Sequence, residues 1–231
     1  VEFMQTISSP LVILGAGGKM GPTMALLARR AADAVGKDLE IIAVSRFSNE
    51  RSRLWLEERR IRTLSLDLLD EKSYRQLPDA ENILYLVGLK FGTMDNPAYT
   101  WATNTLAPVF TCQRYPQAKI AALSTGNVYP LTPVSGTGSV ETDLLEPLGE
   151  YSNACVARER IFDYYAQKNG TAISLIRLSY AIDLRYGVLY DIGRRVYSGE
   201  TIDLGNGHFN CIWQGDANEM VIRALGLASS P

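Results

Sequence analysis

The sequence predicts an α/β fold, a doubly wound parallel sheet with helices on both faces. Three observations predict it. Six short, β-branched apolar runs recur along the chain, longer amphipathic segments separate them, and glycines cluster where the first run gives way to the first amphipathic segment. Runs that are apolar throughout suit strands buried on both faces, the environment of a parallel sheet covered by crossover helices.

Taken in order, strands are expected over residues 11–14, 41–44, 63–66, 83–87, 120–123 and 173–178. Helices are expected over 20–34, 50–59, 98–115 and 151–168, with a weaker one at 71–76. Residues 130–147, rich in Pro, Gly, Ser and Thr, read as a long loop after the fifth strand, and long loops in compact domains tend to be functional. Beyond 178 the pattern loosens into a helix at 190–198, an extended piece at 201–204 and a last helix from Asp216. The chain therefore divides into a sheet domain, 1–178, and an appended segment, 179–231, that is not an independent domain.

Composition removes several classes of function. A chain of 231 residues, 46% hydrophobic and 21% charged, buries one large core and is neither disordered nor fibrous. Its 23 Lys and Arg against 25 Asp and Glu give a net charge of −2 with no run of like charge, so neither nucleic acid nor a membrane surface is an expected partner. The most apolar stretch, 83–89, is far shorter than the roughly 20 residues a membrane span needs, and the expected location is cytoplasmic. Cys112, Cys155 and Cys211 are scattered and outside any CxxC spacing. The single histidine, His208, excludes multi-histidine metal sites, and no metal is expected. No GxSxG occurs either.

Gly15, Gly18 and Gly21 fit the spacing GxxGxxG, following an apolar strand and opening a helix. Glycine lets such a turn close tightly and lets its backbone touch a pyrophosphate, while the helix N-terminus attracts anionic charge. At the end of the second strand stands Ser45-Arg46, with no carboxylate for ribose hydroxyls; a guanidinium there suits a 2′-phosphate. The preferred cofactor on this ground is NADP, with NAD possible, and an ordinary exposed arginine is the alternative reading of Arg46.

These motifs occur with Asp67-Leu68 after the third strand, Val87-Gly88 after the fourth, Asn104 in the next helix, Ser124-Thr125-Gly-Asn-Val-Tyr129, and Tyr151 ahead of a helix. In order and interval, over residues 11 to about 180, the set resembles the extended short-chain dehydrogenase/reductases, the NAD-dependent epimerase/dehydratase family. Segment 210–224 is similar to the family's later strand-Asp-helix, with Asp216 at the aspartate. The resemblance implies a Rossmann-type NAD(P)-binding domain. It implies a cofactor held by Gly15, Gly18, Lys19, Met20, Gly21, Ser45, Arg46, Asp67, Leu68, Val87, Gly88 and Asn104. A helix cap is the plainer reading of Asp67. Lys90 and Tyr180 fall where substrate or a cofactor phosphate is met, although a solvated lysine and a packed tyrosine fit equally. Tyr186 and Tyr190 carry the same two readings, and His208 reads as an exposed loop residue.

The resemblance assigns the chemistry to Thr125, which orients the substrate oxygen, and Tyr151, which exchanges a proton with it. The family's third member, the lysine of YxxxK, is missing: Tyr151-Ser-Asn-Ala-Cys155 has a thiol there, and the next basic residue, Arg158, lies a helical turn further on. Cys155 reads either as a small packed residue or as a reactive thiol. The long loop 130–147 with Lys90, or Arg177, is expected to supply the missing charge. Two functional readings stay open. One is an NAD(P)-dependent oxidoreductase or epimerase acting on a hydroxyl or carbonyl of a sugar-like small molecule, such as a nucleotide sugar; the other is a cofactor-binding sensor or scaffold with little catalysis. A homodimer is allowed. With 15 residues after Asp216, the substrate-side segment is expected to be truncated.

Overall fold

The computed structural model describes residues 1–89, 95–205 and 207–229. Six strands form one parallel sheet: β1 (Leu11–Leu14), β2 (Ile41–Ser45), β3 (Arg62–Ser65), β4 (Asn82–Tyr85), β5 (Lys119–Thr125) and β6 (Ala172–Leu178), in the order β3-β2-β1-β4-β5-β6. Residues 11–14 of β1 align with 41–44 of β2 on one side and 82–85 of β4 on the other, so the strand order reverses about β1. That reversal opens a crevice at the carboxyl ends of the strands.

Successive side chains of each strand face opposite layers. Leu11, Ile13, Ile41, Ala43, Leu84 and Ala121 join one buried cluster with α1 (Gly21–Ala34), α2 (Glu50–Glu57) and α6 (Gln214–Ala224). Val12, Leu14, Ile42, Val44, Ile83, Tyr85 and Ile120 join the other, with α3 (Pro97–Arg114) and α4 (Gly149–Asn169). Tyr85 and Phe162 meet edge to face there, centroids 5.1 Å apart, a geometry worth about 0.5–1.5 kcal/mol beyond its buried area. Local chemistry sets the helix ends. The Asn49 and Asn96 side chains accept from the Arg51 and Tyr99 amides to start α2 and α3, and Gly170, at φ +71°, stops α4.

Residues 71–76 form a 3-10 turn rather than an α-helix. Residues 130–148 contain neither helix nor strand. The expected extended piece at 201–204 does not form a strand, because the Asp203 carboxylate accepts the Gly205 amide at 2.8 Å and turns the chain. A two-stranded parallel pair forms instead between β7 (Tyr180–Ile182) and β8 (Cys211–Trp213), with α5 (Val188–Tyr197) between them in sequence. The 179–231 segment returns to the main body through α6, whose Val221 and Ile222 enter the cluster beneath β1. No helix among the described residues is long and apolar enough to cross a membrane.

Candidate active site

The glycine loop is shaped by contact as well as by conformation. Gly15 has φ +84°, and a Cβ on it would lie 2.8 Å from the Leu86 carbonyl carbon and the Val87 nitrogen. At Gly21 a Cβ would come within 2.2 Å of the Ala16 carbonyl oxygen. The first and third glycines thus let the β1–α1 turn nest against β4 and against itself, while Gly17 and Gly18 keep their backbone exposed.

A cleft of about 270 Å³ crosses the carboxyl ends of β1, β2 and β4. Along it lie Gly15, Gly18, Ser45, Arg46, Asp67, Leu68, Val87 and Gly88. Gly17, Phe47, Ser48, Tyr99 and Thr103 also line it and were not foreseen from the sequence. Tyr99 is brought there by the start of α3, and its hydroxyl accepts from Arg46 Nη1 at 2.9 Å. Asp67 does act on the backbone, accepting the Leu69 amide at 3.0 Å, yet its residue stays exposed on the cleft wall.

Four expected cofactor residues stand elsewhere. The Lys19 ammonium turns onto the Tyr186 ring, 4.8 Å from its centroid. Met20 packs against the core, and Gly21 is buried in the turn. Asn104 has no exposed surface: its amide donates to the Thr100 carbonyl at 2.8 Å and its Oδ1 accepts from Arg158 at 2.9 Å. None of these four is among the residues that line the cleft. For Asn104 the physical reason is that both ends of the amide are already engaged inside the protein. Lys90 lies outside the described residues.

Thr125 closes β5 and Tyr151 stands in the first turn of α4. The Tyr151 hydroxyl meets the Thr125 hydroxyl and the Cys155 thiol. Burial pushes the Tyr151 phenol up to about 12; Cys155 adds to the rise, while the Arg158 guanidinium and the Thr125 hydrogen bond oppose it. Thr125 Oγ1 accepts the Asn127 amide at 3.2 Å, which leaves its hydroxyl proton to donate. Cys155 is fully buried.

Of the expected sources of positive charge, Lys90 lies outside the described residues and the other two do not supply it. Arg177 closes on Glu159 at 2.8 Å and also donates to the Tyr129 hydroxyl and the Glu141 carbonyl, so its charge is committed within the β6–α4 layer. Loop 130–147 contains no lysine or arginine. Among the described residues, the guanidinium that opposes the rise of the Tyr151 phenol belongs to Arg158, which is buried at 4% exposure. Sequence reasoning noted its position but not its reach.

Tyr180 sits on β7, half-buried, edge to face with Phe209 at 5.6 Å. The Tyr186 hydroxyl donates to the Lys19 carbonyl at 2.7 Å and also contacts Gln214, tying the later segment to the glycine loop. Tyr190 and His208 are exposed.

A parallel sheet that reverses about its first strand, with a glycine turn at the reversal and a Thr-Tyr pair at the carboxyl end of β5, defines a nucleotide-binding α/β protein of the dehydrogenase type. A family model, the NAD dependent epimerase/dehydratase family, matches residues 11–183. The chain belongs to that family, an extended short-chain dehydrogenase/reductase. No curated protein sequence matches it significantly. Among solved structures it is similar to the UDP-glucose 4-epimerase of Thermotoga maritima with UDP-glucose, at 18% identity and TM-score 0.76, covering 93% of this chain and 72% of that one. It is also similar to the dTDP-glucose 4,6-dehydratase of Bacillus anthracis in complex with NAD, at 15% identity and TM-score 0.77, covering 94% and 72%. A third is the UDP-Glc/GlcNAc 4-epimerase of Campylobacter jejuni, at 21% identity and TM-score 0.73, covering 95% and 74%. At these identities the likeness is one of fold.

Proposed function

We propose that the protein is an NAD(P)-dependent oxidoreductase or epimerase acting on a secondary hydroxyl or carbonyl of a sugar-like substrate, a nucleotide sugar being the chemistry that its structural neighbours suggest. The observation that carries this reading is the meeting of the Tyr151 and Thr125 hydroxyls at the carboxyl end of β5, the strand next to β4, whose following residues Val87 and Gly88 line the glycine cleft. The cleft suits a dinucleotide, because its floor is a turn in which a Cβ at Gly15 would collide with the strand behind and whose Gly17 and Gly18 backbone stays open. Residues 1–178 hold the cofactor, with Asp67 and Leu68 toward the adenine and Val87 and Gly88 along the ribose and pyrophosphate. Segment 179–231 forms part of the substrate side.

Bound nicotinamide supplies the two-electron chemistry. Ionised Tyr151 takes the proton of the substrate hydroxyl as the carbinol is oxidised, and the phenol returns it to the oxygen on reduction. Thr125 donates a hydrogen bond that orients this oxygen. Arg46 and Ser45 favour NADPH, since the cleft end they form has no carboxylate at the end of β2.

Cys155 in place of lysine favours a second reading, a cofactor-binding protein without turnover. Fluorescence titration with NADH and NADPH, then a turnover screen of sugars, sugar acids and nucleotide sugars, separates the two. The enzyme reading expects turnover that Tyr151→Phe abolishes while cofactor affinity holds. Tight binding with no turnover on any of these would select the second reading.

A further inference from the structure

A buried phenol that is to work as a base needs a positive charge nearby, because burial alone favours the neutral form. The residue one turn from Tyr151 is a cysteine, and the charge is found one turn beyond that. Residues 151, 155 and 158 follow one another at spacings of four and three, so they stack along a single face of α4. We propose that Arg158 is the cation of this site, a positioning residue that holds the acid/base Tyr151 ready for ionisation from beneath Cys155, in the place of the absent lysine. The proposal rests on the reading of Tyr151 as the acid/base.

The surroundings of Arg158 support this role. Its Nη1 donates to the Asn104 Oδ1 at 2.9 Å and to the Val87 carbonyl at 3.2 Å, and its Nη2 reaches the Cys155 Sγ at 3.5 Å. The buried Nε has no partner, and among the described residues no carboxylate forms an ion pair with the guanidinium. A charge held out of water without a counter-ion is strongly unfavourable, so a fold that keeps one has a use for it. The guanidinium also lies directly beneath the loop that crosses the cleft: a Cβ on Gly88 would stand 2.8 Å from Nη1. Asn104, tethered to Thr100, presents its oxygen to the arginine and fixes the direction of the fork.

Among the described residues no carboxylate competes for the charge. Facing Arg158 are Cys155 and Tyr151 on its own helix and Tyr85 from β4, a buried phenol whose hydroxyl has no partner and which in turn neighbours Tyr74 and Cys112. Glu159, the next residue, is closed on Arg177 and Ser124. Arginine is also the cation that suits this depth. A lysine so buried tends to lose its proton, whereas guanidinium stays charged, and its longer reach spans the turn that Cys155 leaves open.

The test reads the ionisation of Tyr151 directly, on folded protein without substrate, as the ring-carbon shift in protein labelled with 13C at tyrosine Cζ. Tyr151→Phe assigns the resonance, and circular dichroism at the same pH checks the fold. At pH 11, Arg158→Gln is expected to lower the ionised fraction of Tyr151 about tenfold, the effect of removing one nearby opposite charge. Arg158→Lys should fall with it, because a buried ammonium has given up its proton by pH 11. In the Cys155→Arg/Arg158→Gln pair, a guanidinium restored at 155 stays charged at pH 11 and should bring the fraction back to the parent value. Should Arg158→Gln not fold, the double variant decides, and a fraction tenfold below the parent overturns the proposal. An unchanged fraction in Arg158→Gln also overturns it. Because the readout needs no turnover, an inactive parent would count against the enzymatic reading while leaving this measurement intact.

Discussion

The Glu159 carboxylate, 2% exposed in its side chain, accepts the Arg177 guanidinium at 2.8 Å and, on its other side, the Ser124 hydroxyl. This pair joins the middle of α4 to β5 and β6 and fixes the helix that carries Tyr151, Cys155 and Arg158. It also commits the Arg177 guanidinium to Glu159.

Removing one member of a buried pair strands the other charge, so Glu159→Ala should lower stability by about 3–5 kcal/mol. Replacing both, as Glu159→Met with Arg177→Met, should cost less than the single change. Urea unfolding midpoints of the three proteins check the ordering, and a double variant less stable than Glu159→Ala would refute it.

Alkaline pH should unfold the protein for a reason legible in its tyrosines. Burial holds Tyr74 and Tyr85 above the usual phenol range and pushes Tyr115 up to about 12. Unfolded phenols ionise near 10. The unfolded chain therefore loses protons first as pH rises, and stability present below pH 10 falls progressively toward pH 12. Each such phenol removes about 1.4 kcal/mol per pH unit in that window. Urea titrations at pH 8, 10 and 11 should show a flat stretch and then a fall, and Tyr115→Phe should lessen the slope.

The glycines of the turn should separate by role. Gly15→Ala, at φ +84° and against the β4 backbone, should lower stability by about 2 kcal/mol or more. Gly18→Ala meets only the Gly15 carbonyl at 3.5 Å, an ordinary contact, and should change stability by less than about 1 kcal/mol. Its effect should fall on dinucleotide affinity instead. Thermal unfolding and NADPH titration of the two variants measure the contrast.

Arg46 should set the preference between the two nicotinamide cofactors. The guanidinium is exposed and held at the cleft by Tyr99, where each charge-assisted hydrogen bond to a 2′-phosphate is worth about 1.5–3 kcal/mol. The parent should therefore bind NADPH at least tenfold tighter than NADH, and Arg46→Asp should reverse the order. Equal affinities in the parent would remove the claim.

Much of this protein could be read from its residues in order. The six strands of the sheet lie within three residues of where apolar runs place them, because a strand covered on both faces has to be apolar throughout. The turn at Gly15 was equally legible, since strand, glycine and helix adjoin in the chain. The β7–β8 pair was not foreseen as a pair: its short strands are joined across about thirty residues, and neither has a pattern of its own. What only the tertiary structure decided is where charge sits around the Thr125–Tyr151 pair. Arg158 meets Asn104 across 54 positions and Val87 across 71, Arg46 meets Tyr99 across 53, and Arg177 is taken by Glu159 from a different element. Electrostatic influence depends on distance and burial in space, and spacing along a chain reports these only within one helix or strand. The sequence alone showed that a lysine was missing beside Tyr151; the packing of α4 against α3 and β4 determined which cation stands near it.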